Sequence, residues 1–321
     1  MNDERKTLWD YGAHAPGPPL SGHVLVGVDG SERATRALDR AAEEARVRRT
    51  PLEILHGWPW ARHGVAVAQP GKEDVRCLID RAQSVLEFAA GRVHERVPGL
   101  DVVTTLSPEP AASELVRRGE GAALTVVGNR GLGRATGLLA GSVSLSVAAH
   151  CGSPLLVVRG ESEQGGPADA TVLVGIADET DAGAGAARFA FEEAHQLGAR
   201  VRVLHMCSVP ELSGSPGAPR PGRPEPEPNN PVRIQETGDA VPRATVAALR
   251  EKFPEVGVRF DTVWRDAADA LVDATRAADT VVITAHRHSG RGHGRQLGPV
   301  EHALLHRAHC PVALVPVAWE P

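Results

Sequence analysis

His23-Val24-Leu25-Val26-Gly27-Val28-Asp29 recurs as Thr171-Val172-Leu173-Val174-Gly175-Ile176-Ala177, at an offset of 148 residues. Each copy is an apolar run of strand length that opens onto a longer amphipathic stretch ending in Glu-Glu-Ala, at 43–45 and again at 192–194. Leu52-Glu53-Ile54-Leu55-His56 likewise recurs as Val201-Arg202-Val203-Leu204-His205, at an offset of 149. Farther along, the offset settles at 157 without a gap: Arg130 falls on Arg287, Gly133 on Gly290, Gly141 on Gly298 and Pro154 on Pro311. Self-similarity at a domain-sized period means one domain written twice. A chain of 321 residues with 42% hydrophobic content can fill two cores.

Within each copy, short apolar runs alternate with longer amphipathic stretches, the pattern of βαβ units around a parallel sheet. The first copy predicts strands near 23–28, 52–57, 101–105, 123–127 and 154–158, and helices near 31–48, 74–96, 109–118 and 142–150. Ser31 and Ser142 are the candidate N-caps. The expected fold class is α/β: two tandem Rossmann-like, doubly wound domains, each a five-stranded parallel sheet with helices on both faces. Residues 1–21 read as a disordered tail, 22–160 as the N-terminal domain, 161–168 as a linker and 169–318 as the C-terminal domain. The latter carries a Pro-rich insertion at 208–238 that cannot pack or form ladders. Leu155 to Val158 and Val312 to Val315 are apolar edge strands that would aggregate if bare. Antiparallel pairing between them, an intramolecular pseudo-dimer, covers both and leaves further homodimerisation open.

The candidate site lies where Leu124-Thr125-Val126-Val127 empties into Gly128-Asn129-Arg130-Gly131, followed by Gly141-Ser142-Val143-Ser144. Residues without a Cβ let backbone N–H groups approach an anion, and the first turn of a helix adds unpaired donors and a favourable dipole. In a doubly wound sheet the ligand crevice opens at the carboxyl ends of the strands, where Gly27, Val28, Asp29 and Gly57 also fall. Plainer roles stand beside these: Asp29 as the first residue of an Asp-Gly turn, Ser142 as a cap alone, and His56 and His205 as satisfied structural histidines.

With Val26-Gly27-Val28-Asp29-Gly30-Ser31, the Leu55-His56 strand end and a G-x2-G-x9-G-[ST] motif filled by Gly128, Gly131, Gly141 and Ser142, the chain resembles the universal stress proteins, in a tandem-domain form of the actinobacterial type. The resemblance implies ATP binding, with Mg2+. It sets Val28, Asp29 and Gly57 against the base and ribose, and the glycines with Ser142, Val143 and Ser144 around the phosphates. Gly27, Val127 and Arg130 flank these residues and complete the expected binding set. It also implies a stress-response regulatory module in the cytoplasm, with an adenine nucleotide as ligand and an unidentified protein as partner.

The second copy departs from the motif. Gly128 becomes Ala285, Gly131 becomes His288, Ser142 becomes Pro299, Ser144 becomes Glu301, and Asp29 is replaced by Ala177 with Asp178 one residue late. Each change weakens phosphate binding: a side chain blocks close approach, proline removes an N–H, and a carboxylate repels the anion. One competent nucleotide site, in the N-terminal domain, is the expectation. His286, His288 and His293 match no common metal signature, so no metal centre is expected. The basic loop they share with Arg287, Arg291 and Arg295 reads as a solvated loop or as a side-chain anion site.

Composition excludes other classes. A formal charge of −5 and only 11 aromatics give neither a basic face nor stacking platforms for nucleic acid. The cysteines at 77, 151, 207 and 310 form no C-x-x-C pair, and no apolar run reaches spanning length, so a reducing compartment and no membrane are expected. There is no Walker lysine in a G-x4-G-K-[ST] run and no evident general base, so no catalytic residue is assigned. Two other classes remain beside the ATP-binding module: a nucleotide-independent interaction or chaperone-like protein, and a slow ATPase.

Overall fold

Strand β1 (Val24–Gly27) is apolar at every position except its terminal glycine, and its side chains are buried on both faces. Val24 and Val26 join one core cluster and Leu25 the other. Continuous apolar strands of this kind need helices on both sides. The computed structural model describes Gly17 and residues 19–57, 72–129, 141–159, 170–177, 185–206, 240–290 and 294–317.

The N-terminal half continues with α1 (Glu32–Arg48), β2 (Leu52–Gly57), α2 (Lys72–Arg96), β3 (Val102–Ser107), α3 (Ala111–Gly119), β4 (Leu124–Gly128), α4 (Ser142–His150) and β5 (Leu155–Val158). The C-terminal half repeats the plan with β6 (Thr171–Ile176), α5 (Ala186–Leu197), β7 (Arg200–Met206), α6 (Ala240–Lys252), β8 (Val258–Val263), α7 (Ala267–Ala274) and β9 (Thr280–Ala285). A two-stranded hairpin of β10 (Arg287–Gly290) and β11 (Gly294–Leu297) then precedes α8 (Pro299–Arg307) and β12 (Val312–Pro316). Where sequence reading anticipated only a loop after β9, these residues form an antiparallel ladder.

All ten long strands form one sheet in the order β3-β2-β1-β4-β5-β12-β9-β6-β7-β8. Every neighbouring pair is parallel except β5 with β12, which run antiparallel with Leu156 opposite Ala313. That pairing gives each apolar edge a partner and continues the sheet across the two halves. Helices α1, α2, α5 and α6 pack on one face and α3, α4, α7 and α8 on the other.

Buried charge is also organised. Glu53 on β2 lies at 0% exposure, with His23 Nε2 3.1 Å away, Thr105 donating at 2.6 Å and Arg118 Nη1 at 2.6 Å. Arg118 donates as well to Glu114 at 2.7 Å and to the Gly17 carbonyl at 2.8 Å. Gly17, inside the stretch read as a tail, is thereby tied to the N-terminal half. Burial pushes the Glu53 carboxyl up, but its contacts with His23 and Thr105 and the Arg118 charge outweigh that and hold it below the usual carboxylate range. The Pro-rich insertion and the linker lie outside the described residues.

Candidate functional site

Parallel pairing brings the predicted residues of three strands to one end of the sheet. β1 pairs with β2 so that Gly27 faces Leu55, and with β4 so that Val26 faces Val126. Val28 and Asp29, Gly57, and Val127 and Gly128 therefore stand side by side at the carboxyl ends of β1, β2 and β4.

The β1 end is locked by its neighbours. Val28 donates its N–H to the Leu55 carbonyl at 2.9 Å, and its own carbonyl is hydrogen-bonded to His56 Nδ1 at 2.7 Å. His205 repeats that bond on Ile176 at 3.0 Å, so both strand-end histidines are structural. Asp29 Oδ1 accepts the Ser31 N–H at 3.0 Å, Gly30 takes φ +80°, and Ser31 caps α1 by accepting the Ala34 N–H at 3.2 Å. This is an Asx turn feeding a capped helix. The turn role of Asp29 is real, and it leaves the carboxylate half-buried just beyond the carboxyl end of β1.

Gly27 and Gly57 have packing reasons to be glycine. A Cβ on Gly27 would meet Leu115 Cδ1 at 2.9 Å, and one on Gly57 would meet Ala111 Cα at 2.5 Å. Gly175 repeats the Gly27 arrangement against Leu271 at 2.9 Å, so this glycine serves the fold in both halves whether or not a ligand is bound.

The loop after β4 is closed at its base. Asn129 donates its N–H to Val158 at 3.0 Å, and its carbonyl accepts the Gly141 N–H at 2.6 Å. Gly141, at φ −78° and ψ 153°, is the N-cap of α4 and Ser142 is its first residue, which corrects the assignment of Ser142 as the cap. The reason is the Gly141–Asn129 bond, which fixes residue 141 in extended backbone, so that the helix begins at Ser142. Ser144 is buried, and its hydroxyl donates to the carbonyls of Gly141 at 2.9 Å and Asn129 at 3.3 Å. It braces the loop base from within, while Ser142 and Val143 are exposed. The N–H groups of Ser142, Val143 and Ser144 precede the first helical hydrogen bond, in which Leu145 donates its N–H to the Gly141 carbonyl at 3.0 Å. Arg130, Gly131 and the loop glycines 133 and 137 lie outside the described residues.

Sequence reading passed over Asn129, although it stands inside the motif. A carbonyl that anchors a loop leaves no signal in residue type.

The C-terminal half differs at the same place. α8 is capped by Gly298 and begins with Pro299, and the Glu301 carboxylate, 3% exposed, accepts the His286 N–H at 2.7 Å. A Cβ on Gly298 would lie 2.4 Å from Glu301 Oε2, so the carboxylate folds back over the start of its own helix. The position that in α4 holds the Ser144 hydroxyl against Asn129 here holds an anion against His286. Asp178 lies outside the described residues. Among the described residues no group of three or more His, Cys, Asp or Glu is placed to hold a metal ion, and no helix is long and apolar enough to cross a membrane.

The model of the universal stress protein family matches residues 21–159 and again 170–316. A universal stress protein of Mycolicibacterium smegmatis is 31% identical over 303 residues, covering 91% of this chain and 96% of that protein. The crystal structure of a universal stress protein from Archaeoglobus fulgidus superposes with a TM-score of 0.65 at 15% identity, over 93% of this chain and 99% of that one, a likeness of fold. Another from the same organism, solved in complex with dAMP, aligns with 42% of this chain and 94% of that one at 26% identity and a TM-score of 0.31.

Proposed function

The chain belongs to the universal stress protein family, with two copies of its domain in one polypeptide, and on that premise we propose that it is a stress-response regulatory module that binds ATP with Mg2+ in its N-terminal half. The observation that carries the proposal is the closure of the β4–α4 loop by the Gly141 N–H on the Asn129 carbonyl at 2.6 Å. It holds the first turn of α4 at the carboxyl end of the sheet, on the side where Gly57 ends β2 and Asp29 follows β1. In this reading the base and ribose lie against Val28, Asp29 and Gly57. The N–H groups of Ser142, Val143 and Ser144 receive the phosphates with the helix dipole behind them. Gly128, Arg130 and Gly131 supply the rest of the cradle.

The same reading gives one nucleotide per chain. Pro299 offers no N–H, and the Glu301 carboxylate already lies over the start of α8, where like charge opposes a phosphate. No group in the chain is assigned to activate a water, so binding without fast turnover is the functional mode. Nucleotide occupancy then sets the shape of the module or its affinity for a protein partner in the cytoplasm.

The test is isothermal titration of Mg2+-ATP into the nucleotide-stripped protein, beside Gly131→Val and Ser142→Pro. About one site per chain in the wild type, lost in both folded variants, supports the proposal. Absence of both heat and thermal shift overturns it and leaves the interaction-protein reading in front. Steady turnover abolished by either variant favours the slow ATPase.

A further inference from the structure

The repeat puts Glu44 on α1 and Glu193 on α5 at the same position of their copies, 149 residues apart. The fold then brings these two carboxylates together where α1 and α5 meet across the boundary between the halves. Their side chains are 1% and 2% exposed. Two carboxylates this deeply buried need cations. Arg40 bridges them, with Nε 2.5 Å from Glu44 Oε1 and Nη2 2.7 Å from Glu193 Oε1. Arg48 bridges them again, from Nη1 to Glu44 Oε2 and from Nη2 to Glu193 Oε2 at 2.7 Å. The result is a closed ring of two guanidinium groups and two carboxylates.

Both cations come from the N-terminal half. At the same offset, Arg40 corresponds to Phe189 and Arg48 to Leu197. The pairing of unlike halves therefore encloses two arginines and two glutamates. Two N-terminal halves paired in the same geometry would enclose four arginines and two glutamates, and two C-terminal halves no arginine and two glutamates. Neither self-pairing balances its buried charge. The β5–β12 ladder makes no such distinction, because its bonds are backbone and its facing residues, Leu155 to Val157 and Val312 to Leu314, are apolar on both sides. Arg159 adds to the asymmetry: its guanidinium caps the C-terminal carbonyls of α8, Leu304 at 3.2 Å and His306 at 2.9 Å, and its counterpart in the repeat is Pro316, which has no donor to offer.

We propose that the Arg40–Glu44–Arg48–Glu193 ring is a pairing-specificity device, which fits the α1 face of the N-terminal half to a C-terminal half and rejects a second N-terminal half. Its partner is a helix face that offers a buried glutamate and carries Phe189 and Leu197 where the N-terminal half carries its two arginines. Tandem fusion alone keeps the two halves close; the ring decides which face meets which.

The test uses the intact chain at pH 8, where Glu44, pushed up to about 7 by burial and by the Glu193 carboxylate, is ionised. Phe189→Arg with Leu197→Arg gives the interface the charge of two N-terminal halves. Arg40→Phe with Arg48→Leu gives it the charge of two C-terminal halves. The quadruple variant moves both arginines to α5 and restores the balance. Thermal melts and light scattering are read together. The expected result is a melting temperature lowered by several degrees, or chain-to-chain association, in each double variant, with most of the loss recovered in the quadruple. A quadruple variant that loses as much as the two doubles combined assigns the four positions to packing alone and overturns the proposal. If Arg40→Phe with Arg48→Leu does not fold, adding Glu44→Gln and Glu193→Gln decides: recovery of folded monomer supports the ring's role, and continued failure overturns it.

Discussion

Gly57→Ala separates the two reasons a glycine can have for ending a strand at this site. The new Cβ would lie 2.5 Å from Ala111 Cα, 2.7 Å from Ala111 N and 2.8 Å from Ala111 Cβ. Unstrained carbon contacts begin at about 3.5 Å, so β2 and the first turn of α3 must part by about 1 Å. Two of the three atoms are backbone, and no rotamer relieves them. We expect a cost of about 3 kcal/mol, the upper part of the range for overpacking, which for a half of this size lowers the melting temperature by about 6–12 °C. Gly27→Ala is the internal control: its Cβ would meet Leu115 Cδ1 at 2.9 Å, the far end of a flexible side chain, and should cost about 1 kcal/mol. The assay is thermal unfolding of the nucleotide-free protein followed by circular dichroism. Gly57→Ala melting within about 2 °C of wild type would refute the packing account. If the same variant then failed to bind Mg2+-ATP, the glycine would be there for the ligand.

Arg118→Met should destabilise the N-terminal half by about 3–5 kcal/mol, because Glu53 would stay buried without its guanidinium partner and Glu114 would keep only Arg117; urea unfolding midpoints measure it. In the wild type, burial pushes the Glu114 carboxyl up but bonds from Arg117 and Arg118 more than offset it, so Glu53 and Glu114 both rest below their ordinary values. Their contribution is therefore complete above the ordinary glutamate range and is lost as pH falls through the depressed values, and Arg118→Met should flatten that acid limb. Glu301→Ser removes the acceptor of the His286 N–H and should cost about 1–3 kcal/mol, read as a lower melting temperature. Iodoacetamide should label exposed Cys77 in the native protein and spare Cys310, whose thiol burial pushes up to about 12; peptide mass mapping decides.

Much of the fold was legible because its signals are local. Apolar runs of strand length and amphipathic stretches placed every strand and helix of the N-terminal half within two residues of those observed, and the tandem repeat carried the assignment across to the C-terminal half. Ser31 as a cap and the structural bonds of His56 and His205 were also readable, since capping and strand-end roles depend on close neighbours. The range of α4 was read as observed, but its cap was placed on Ser142 instead of Gly141, because the bond that sets the cap joins Gly141 to Asn129 across the loop.

The sequence by itself determined that one α/β domain occurs twice and that the motif is whole in the first copy and broken in the second, because residue type, order and spacing carry that information directly. Only the tertiary structure decided that Gly57 yields its Cβ space to α3, that Ser144 faces inward, and that Glu301 lies over its own helix start. It also decided that Glu44 and Glu193, which sequence reading passed over, share two arginines in a buried ring. Those outcomes depend on which surfaces meet after the chain has folded, and contacts between residues separated by loops or whole elements leave no periodicity to read.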